Sequence, residues 1–317
     1  MKTIFELAVP RDQVLHGELS PDMFAARLKD VMDGTSDDPV YLDPDLFFDN
    51  TYPTAGLKTL LREVLGRLTG QAPTNSPIIR LETSFGGGKT HNLIALYHAV
   101  RGEGAQTHLK TFVGSDTLLP QLGDADVVGV VGSDLDPATG VYHPDDDLTT
   151  YTLWGELAYQ LGGRDGYGLA RESEQNKSAP GTGLFERIIG DWPTLIMIDE
   201  IARHLRAAVA IPTATGKSHL AEQTVAFLMS LMEFVASQKQ VVLVLTLTSE
   251  ADAFQKETEA LRQALAESLS VSARQERVLT PAGENEISAI VVHRLFKHVN
   301  LNGAQSTIAR YGGYYRE

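Results

Sequence analysis

The stretch Arg80-Leu81-Glu82-Thr83-Ser84-Phe85-Gly86-Gly87-Gly88-Lys89-Thr90 decides how this chain is read. A short apolar strand runs into a loop of consecutive glycines, and the loop closes on Gly-Lys-Thr. Glycines let successive backbone N–H groups turn toward one anion, a conformation that β-carbons obstruct. A helix beginning near Lys89 aims the positive end of its dipole at the same place. The stretch therefore reads as a phosphate cradle. Its expected nucleotide-binding residues are Ser84, Phe85, Gly86, Gly87, Gly88, Lys89, Thr90 and His91. Lys89 would reach the β- and γ-phosphates of ATP, and the Thr90 hydroxyl would hold Mg2+. One position departs from the pattern Gly-x-x-x-x-Gly-Lys-[Ser/Thr], because Thr83 stands where the first glycine belongs. The bland alternative is a glycine linker followed by a solvated lysine, and the flanks speak against it. A strand precedes the loop; after it Leu93, Leu96, Tyr97 and Val100 form one helical stripe, ended by Gly102 and Gly104.

Working outward, Pro193-Thr194-Leu195-Ile196-Met197-Ile198-Asp199-Glu200 is an unbroken apolar run ending in two carboxylates. Such a run suits a strand covered on both faces. Asp199 is the expected Mg2+ ligand, acting through water, and Glu200 the expected catalytic base that polarises the attacking water. Adjacent acids also suit the first turn of a helix; downstream of a phosphate loop the catalytic reading is preferred. An Asp-Glu pair favours hydrolysis over transfer, since a kinase shields its γ-phosphate from water. A third apolar run, 241–248, ends in Thr248, the candidate polar contact to the γ-phosphate, with Thr246 second. A β-branched residue in a strand needs no such role, so both readings stand. Ile211-Pro212-Thr213-Ala214-Thr215-Gly216-Lys217-Ser218 also ends like a phosphate loop. No strand precedes it and Pro212 interrupts it, so it reads as a surface loop, mobile and near the site, leading into a helix.

Strands at 78–82, 127–131, 194–198 and 241–247, separated by helices, predict an α/β fold of the P-loop NTPase kind, with a doubly wound, mainly parallel sheet. The expected organisation is a helical lead-in at 1–75, an ATPase core at 76–280 and the start of a helical lid at 281–317. Within the lead-in, 12–31 is broadly helical, and 56–68 places Leu57, Leu60, Leu61, Val64, Leu65 and Leu68 on one stripe. Phe47, Phe48 and Tyr52 suit core packing better than an adenine contact. Further helices are expected at 152–161, 220–237, 251–269 and 285–299, with 162–183 a polar, glycine-rich mobile loop.

Composition narrows the class. The chain has 317 residues, 43% of them hydrophobic, enough for one large core and a smaller one. It has no cysteine, which excludes disulfides and thiolate metal sites and is compatible with a cytoplasmic location. Its nine histidines show no metal-ligand spacing. No apolar run approaches the roughly 18 residues of a membrane span, and Glu6 breaks the only N-terminal candidate for a leader. A net charge of −14 argues against broad nucleic-acid binding by this segment, because phosphate backbones dominate such affinity.

Residues 81–93, Asp199-Glu200-Ile201-Ala202-Arg203-His204-Leu205-Arg206 and Ser272-Ala273-Arg274-Gln275-Glu276-Arg277 resemble the prokaryotic AAA-type ATPases catalogued as domain of unknown function four-nine-nine. Residues 48–60, 132–137 and 151–163 are similar to that family too, so the resemblance spans most of the chain. Thr-Ser-Phe-Gly-Gly-Gly-Lys-Thr is the usual loop there, which accounts for Thr83. The resemblance implies an ATP-hydrolysing switch or motor, homo-oligomeric, encoded beside DNA methyltransferases and helicases in clusters associated with phage defence. It also implies a longer chain with a fuller lid, so this one reads as a fragment or a split gene. It places a subunit-facing arginine at Arg274 or Arg277, whose plainer reading is an exposed basic turn; Arg294 could contact nucleotide from the lid or be merely solvated. The runner-up function is a nucleotide-dependent assembly scaffold with little turnover.

Overall fold

Uncharged, β-branched runs pair into a sheet only where both faces find apolar cover, and the computed structural model shows what supplies it. The structure describes residues 4–16, 26–83, 88–101, 104, 106–121, 123–248, 255–269 and 276–314. The chain begins with α1 (Ile4–Leu7), β1 (Ala8–Pro10), α2 (Asp12–Leu15) and α3 (Leu28–Met32). There follow α4 (Pro39–Leu42), α5 (Pro44–Asp49) and α6 (Ala55–Leu68). Asp38 and Asp43 cap α4 and α5, each followed by a proline whose missing N–H costs nothing there, and Thr54 caps α6.

Next come β2 (Ile78–Thr83), α7 (Lys89–Arg101), α8 (Gln106–Val113) and β3 (Asp126–Val131). A hairpin of β4 (Val141–His143) and β5 (Leu148–Thr150) leads to α9 (Leu153–Asn176) and α10 (Gly183–Ile188). Then β6 (Thr194–Asp199), α11 (Ile201–Ala208), α12 (Leu220–Ser237), β7 (Val241–Thr248) and α13 (Gln255–Leu269) follow. The last elements are β8 (Glu276–Leu279), α14 (Ile287–Leu295), β9 (Phe296–Val299) and α15 (Leu301–Tyr314).

The central sheet has the order β3-β6-β7-β2-β8, and every neighbouring pair is parallel. Period-two alternation divides its side chains between two cores. Ile196, Ile198, Leu243 and Leu245 face the cluster built by Trp154, Phe185, Phe227 and Phe234. Leu195, Met197, Val242 and Val244 face the cluster of Phe47, Phe48, Leu60, Leu61 and Leu96. The lead-in helices thus share a core with the sheet. Phe47 and Phe48 are fully packed, as expected, at about 1.5–3 kcal/mol each for burial. Among the described residues one helix, α12, is long and apolar enough to cross a membrane, and its Phe227, Leu231 and Phe234 pack in the core.

Four expectations change. The α7 stripe is not one-sided: every residue from Asn92 to Val100 is buried, because α7 is enclosed between the sheet and α3, α5 and α6. Residues 162–176 are helical, and only 177–182 is a loop. Gly163, at φ 57° and ψ −144°, interrupts α9, and helical structure continues to Asn176. Arg277 lies in a fifth strand, β8, rather than in a turn. The helix at 285–299 stops at Leu295; the chain then becomes β9 and pairs antiparallel with β1, Ala8 opposite Val299. The helix expected over 12–31 is present as α2 and α3, and the residues between 16 and 26 lie outside the described ones. Residues 211–219 form the expected loop, closed by a bridge between Pro212 and His219.

Candidate functional site

Parallel sheets place functional groups at the C-terminal ends of their strands. Here β2 runs into α7, and β6 ends on Asp199; β7 lies between them in the sheet. Their polar side chains meet at one carboxylate. The Thr90 hydroxyl donates to Asp199 Oδ2 at 2.8 Å, and the Thr246 hydroxyl donates to Asp199 Oδ1 at 2.5 Å. The Glu200 backbone N–H in turn donates to Thr246 Oγ1 at 3.1 Å. Asp199 is 2% exposed and Thr246 3% exposed, so both carboxylate oxygens are satisfied where an unpaired one would be costly.

Glu200 occupies the turn from β6 into α11 with φ 49° and ψ 33°, a left-handed conformation unusual outside glycine. The end of β3 braces it. The Gly132 N–H donates to the Asp199 carbonyl at 2.7 Å, and a β-carbon on Gly132 would stand 2.4 Å from the Glu200 carbonyl oxygen. Only glycine lets the two turns lie so close. The Glu200 carboxyl is half-buried and forms an ion pair with Arg203 at 3.1 Å. Burial raises its pKa above the ordinary value and the neighbouring Asp199 charge adds to the rise, while Arg203 and Lys89 oppose it. A raised carboxylate is a stronger proton acceptor.

Lys89 opens α7 and its Nζ donates to the Thr83 carbonyl at 3.1 Å, spanning the loop from end to start. Gly88, at φ 81°, accepts from Asn92 through both backbone and side chain. Ser84, Phe85, Gly86 and Gly87 lie outside the described residues, as does Arg274. Thr248 pairs with Thr83 across β7 and β2, level with the start of the loop, and its side chain is outside the described ones. His91 is turned elsewhere: its ring packs on Phe47 at 4.7 Å and its Nε2 meets Thr51 Oγ1 at 3.0 Å. Arg277 pairs with Glu63 of α6, and Arg294 donates to the Tyr41 hydroxyl at 2.7 Å.

The donor set fits Mg2+. Magnesium takes hard oxygen ligands and usually keeps several waters. Thr90 Oγ1 is such a group, and Asp199, bonded to it at 2.8 Å and oriented by Thr246, would act through one of those waters. Sequence reasoning ranked Thr246 second and passed over Gly132 and Arg203. Strand register marks the first: Ile198 pairs with Leu245, which sets Asp199 level with Thr246.

Fold and site together define a class: an α/β protein on a five-stranded parallel sheet, with acidic and hydroxyl groups gathered where its strands end. A family model described as DUF499 N-terminal domain matches residues 5–276, and the chain belongs to that family. No curated protein and no solved structure matches it.

Proposed function

We propose that this chain is a P-loop ATPase of AAA type, binding ATP with Mg2+ and hydrolysing it as a switch or motor. The observation that carries this reading is the bonded chain Thr90–Asp199–Thr246, which joins the start of α7, the end of β6 and β7 beside Glu200. In this reading Lys89 exchanges the Thr83 carbonyl for the β- and γ-phosphates, and the α7 N-terminus faces the same anion. Glu200 takes a proton from the attacking water, its raised pKa suiting it to that task. Bound Mg2+ would neutralise charge on the phosphates. The family resemblance supports a setting in DNA modification or phage defence, with methyltransferase or helicase proteins as partners and homo-oligomeric assembly; the absence of cysteine is compatible with a cytoplasmic location.

A nucleotide-dependent scaffold is favoured by one feature, the Glu200–Arg203 pair, which holds the carboxylate in a resting contact. Phosphate release separates the two. For the ATPase, wild type releases phosphate from ATP, Glu200→Gln retains ATP binding but loses about 10²–10⁴-fold in turnover, and Lys89→Ala weakens binding at least about tenfold by calorimetry. Tight binding without phosphate release selects the scaffold. Undiminished turnover in Glu200→Gln removes Glu200 as the base, and unchanged ATP affinity in Lys89→Ala removes the phosphate cradle itself.

A further inference from the structure

A second place in the molecule has the build of a binding site. β3 is the edge strand of the sheet, and no further strand covers its free side among the described residues. A cavity of about 340 Å³ runs along it from Val127 to Val131, a size within the range of small-molecule sites. None of Gly88, Lys89, Thr90, Asp199 and Glu200 lines it, so it is separate from the nucleotide-type site. Met32, Tyr97, Val141, His143 and Tyr159 are among the residues that line it, with the charged Lys29, Asp33, Arg101 and Asp134. The His143 and Tyr159 rings stack on each other at 3.8 Å with planes 28° apart, an aromatic pair within that lining.

The recognition chemistry is shown by a side chain already in place. The Gly129 N–H donates to Gln160 Oε1 at 3.0 Å, and Gln160 Nε2 donates to the Gly129 carbonyl at 2.9 Å. A neighbouring strand would meet Gly129 with two different peptide groups, because a trans peptide points its N–H and C=O in opposite directions. Gln160 meets it with one amide whose N–H and C=O lie on the same side. The groups with that shape are a primary amide and the cis amide of a ring. Gln160 also donates its second N–H to Glu156 Oε1 at 2.8 Å, so a ligand that displaces it from Gly129 must leave its amide within reach of Glu156, whose other oxygen keeps His143 and Thr150.

We propose that the cavity beside β3 binds a small planar ring amide, which lies against the Tyr159–His143 pair and takes the two Gly129 bonds held by Gln160. The ligand class is a lactam or a lactam-bearing heterocycle of the nucleobase kind. Binding is independent of nucleotide.

The test is a titration of the isotope-labelled full chain with 2-pyrrolidone and with uracil, following the Gly129 amide resonance. The expected result is a saturable shift with both, and none with N-methylpyrrolidone or 1,3-dimethyluracil, which lack the N–H. Gln160→Ala removes the resident amide, so uracil should bind it about tenfold more tightly, one to two hydrogen bonds no longer needing to be broken. Circular dichroism establishes that the variant is folded, and the methylated controls on wild type need no variant. An unmoved Gly129 resonance at millimolar uracil in wild type and folded variant overturns the proposal. So does equal binding of the methylated rings, or a shift produced only by a linear Val-Gly-Val peptide, which would signify strand addition.

Discussion

Asp199 holds two elements through one carboxylate, and the residue next to Thr90 holds a third. His91 is the follower of Thr90, yet its ring is spent on Phe47 and Thr51, which fixes the angle at which α7 leaves the loop. That position has a pH signature. Burial lowers the His91 pKa to about 3, with the Arg294 and His98 charges adding to the effect. An unfolded histidine binds its proton near 6.5, whereas the folded chain resists until about 3. The unfolded state therefore binds more protons in that window. Stability from the neutral ring is complete above about 6.5 and is lost progressively as pH falls toward 3. His91→Gln cannot titrate, so its stability, measured by urea unfolding at a series of pH values, should fall less steeply there than that of wild type. Parallel pH profiles would show that His91 is not the titrating group.

At the scale of elements, α9 shows how one residue reorganises a segment. A 24-residue helix would extend about 36 Å, but Glu174 near its end bonds the Tyr151 and Thr152 N–H groups before its start, at 2.5 and 3.0 Å. Gly163 makes this possible by folding α9 into a hairpin, in a region of φ and ψ that L side chains rarely enter. Gly163→Ala should cost about 1–3 kcal/mol, read as a lower midpoint in thermal unfolding; an unchanged midpoint would show that the hairpin carries no such demand. The hairpin was not legible in the sequence, because glycine and charge in 162–183 also describe a loop, and Glu174 finds its partners 22 and 23 residues away. The four long strands were legible to within a residue at most ends, since both-face burial demands unbroken apolar runs. β8 was not: it is four residues long, with Arg277 and Val278 exposed. In the site, Lys89, Thr90, Asp199 and Glu200 follow from local pattern. That Thr246 bonds Asp199 follows from the β6–β7 register, which no local pattern contains.

For the whole molecule, the decisive contacts join the two ends of the chain. β1 pairs with β9, and Arg11, 8% exposed, serves as the tie. Its N–H donates to the Leu295 carbonyl at 3.0 Å, and its guanidinium reaches the His293 carbonyl at 3.0 Å, the Asp49 carbonyl at 3.0 Å and Asp49 Oδ2 at 2.9 Å. A second clasp closes near Gly88, where the Thr54 hydroxyl donates to the Pro281 carbonyl at 2.7 Å and Glu286 accepts from the Ala55 N–H at 2.9 Å. Residues 281–295 and the lead-in are thus bonded to one another, not merely adjacent in space. The sheet core does not depend on this tie, since neither of its two apolar clusters contains Arg11 or a residue of α14 or β9. Loss of the tie should therefore loosen the end of the chain before it melts the sheet. Arg11→Met keeps the apolar stem but removes the charged hydrogen bonds, at about 1.5–3 kcal/mol apiece at most, less for the bond to the half-exposed Asp49. Limited trypsin digestion should then release a fragment beginning at Leu295 or His298, after cleavage at Arg294 or Lys297, well before the remainder is cut. The thermal midpoint of the remainder should stay near that of wild type. Cleavage at the wild-type rate would show that β1–β9 pairing and the Thr54–Pro281 clasp suffice without Arg11. A collapse of the whole chain would show that the ends and the sheet unfold as one unit.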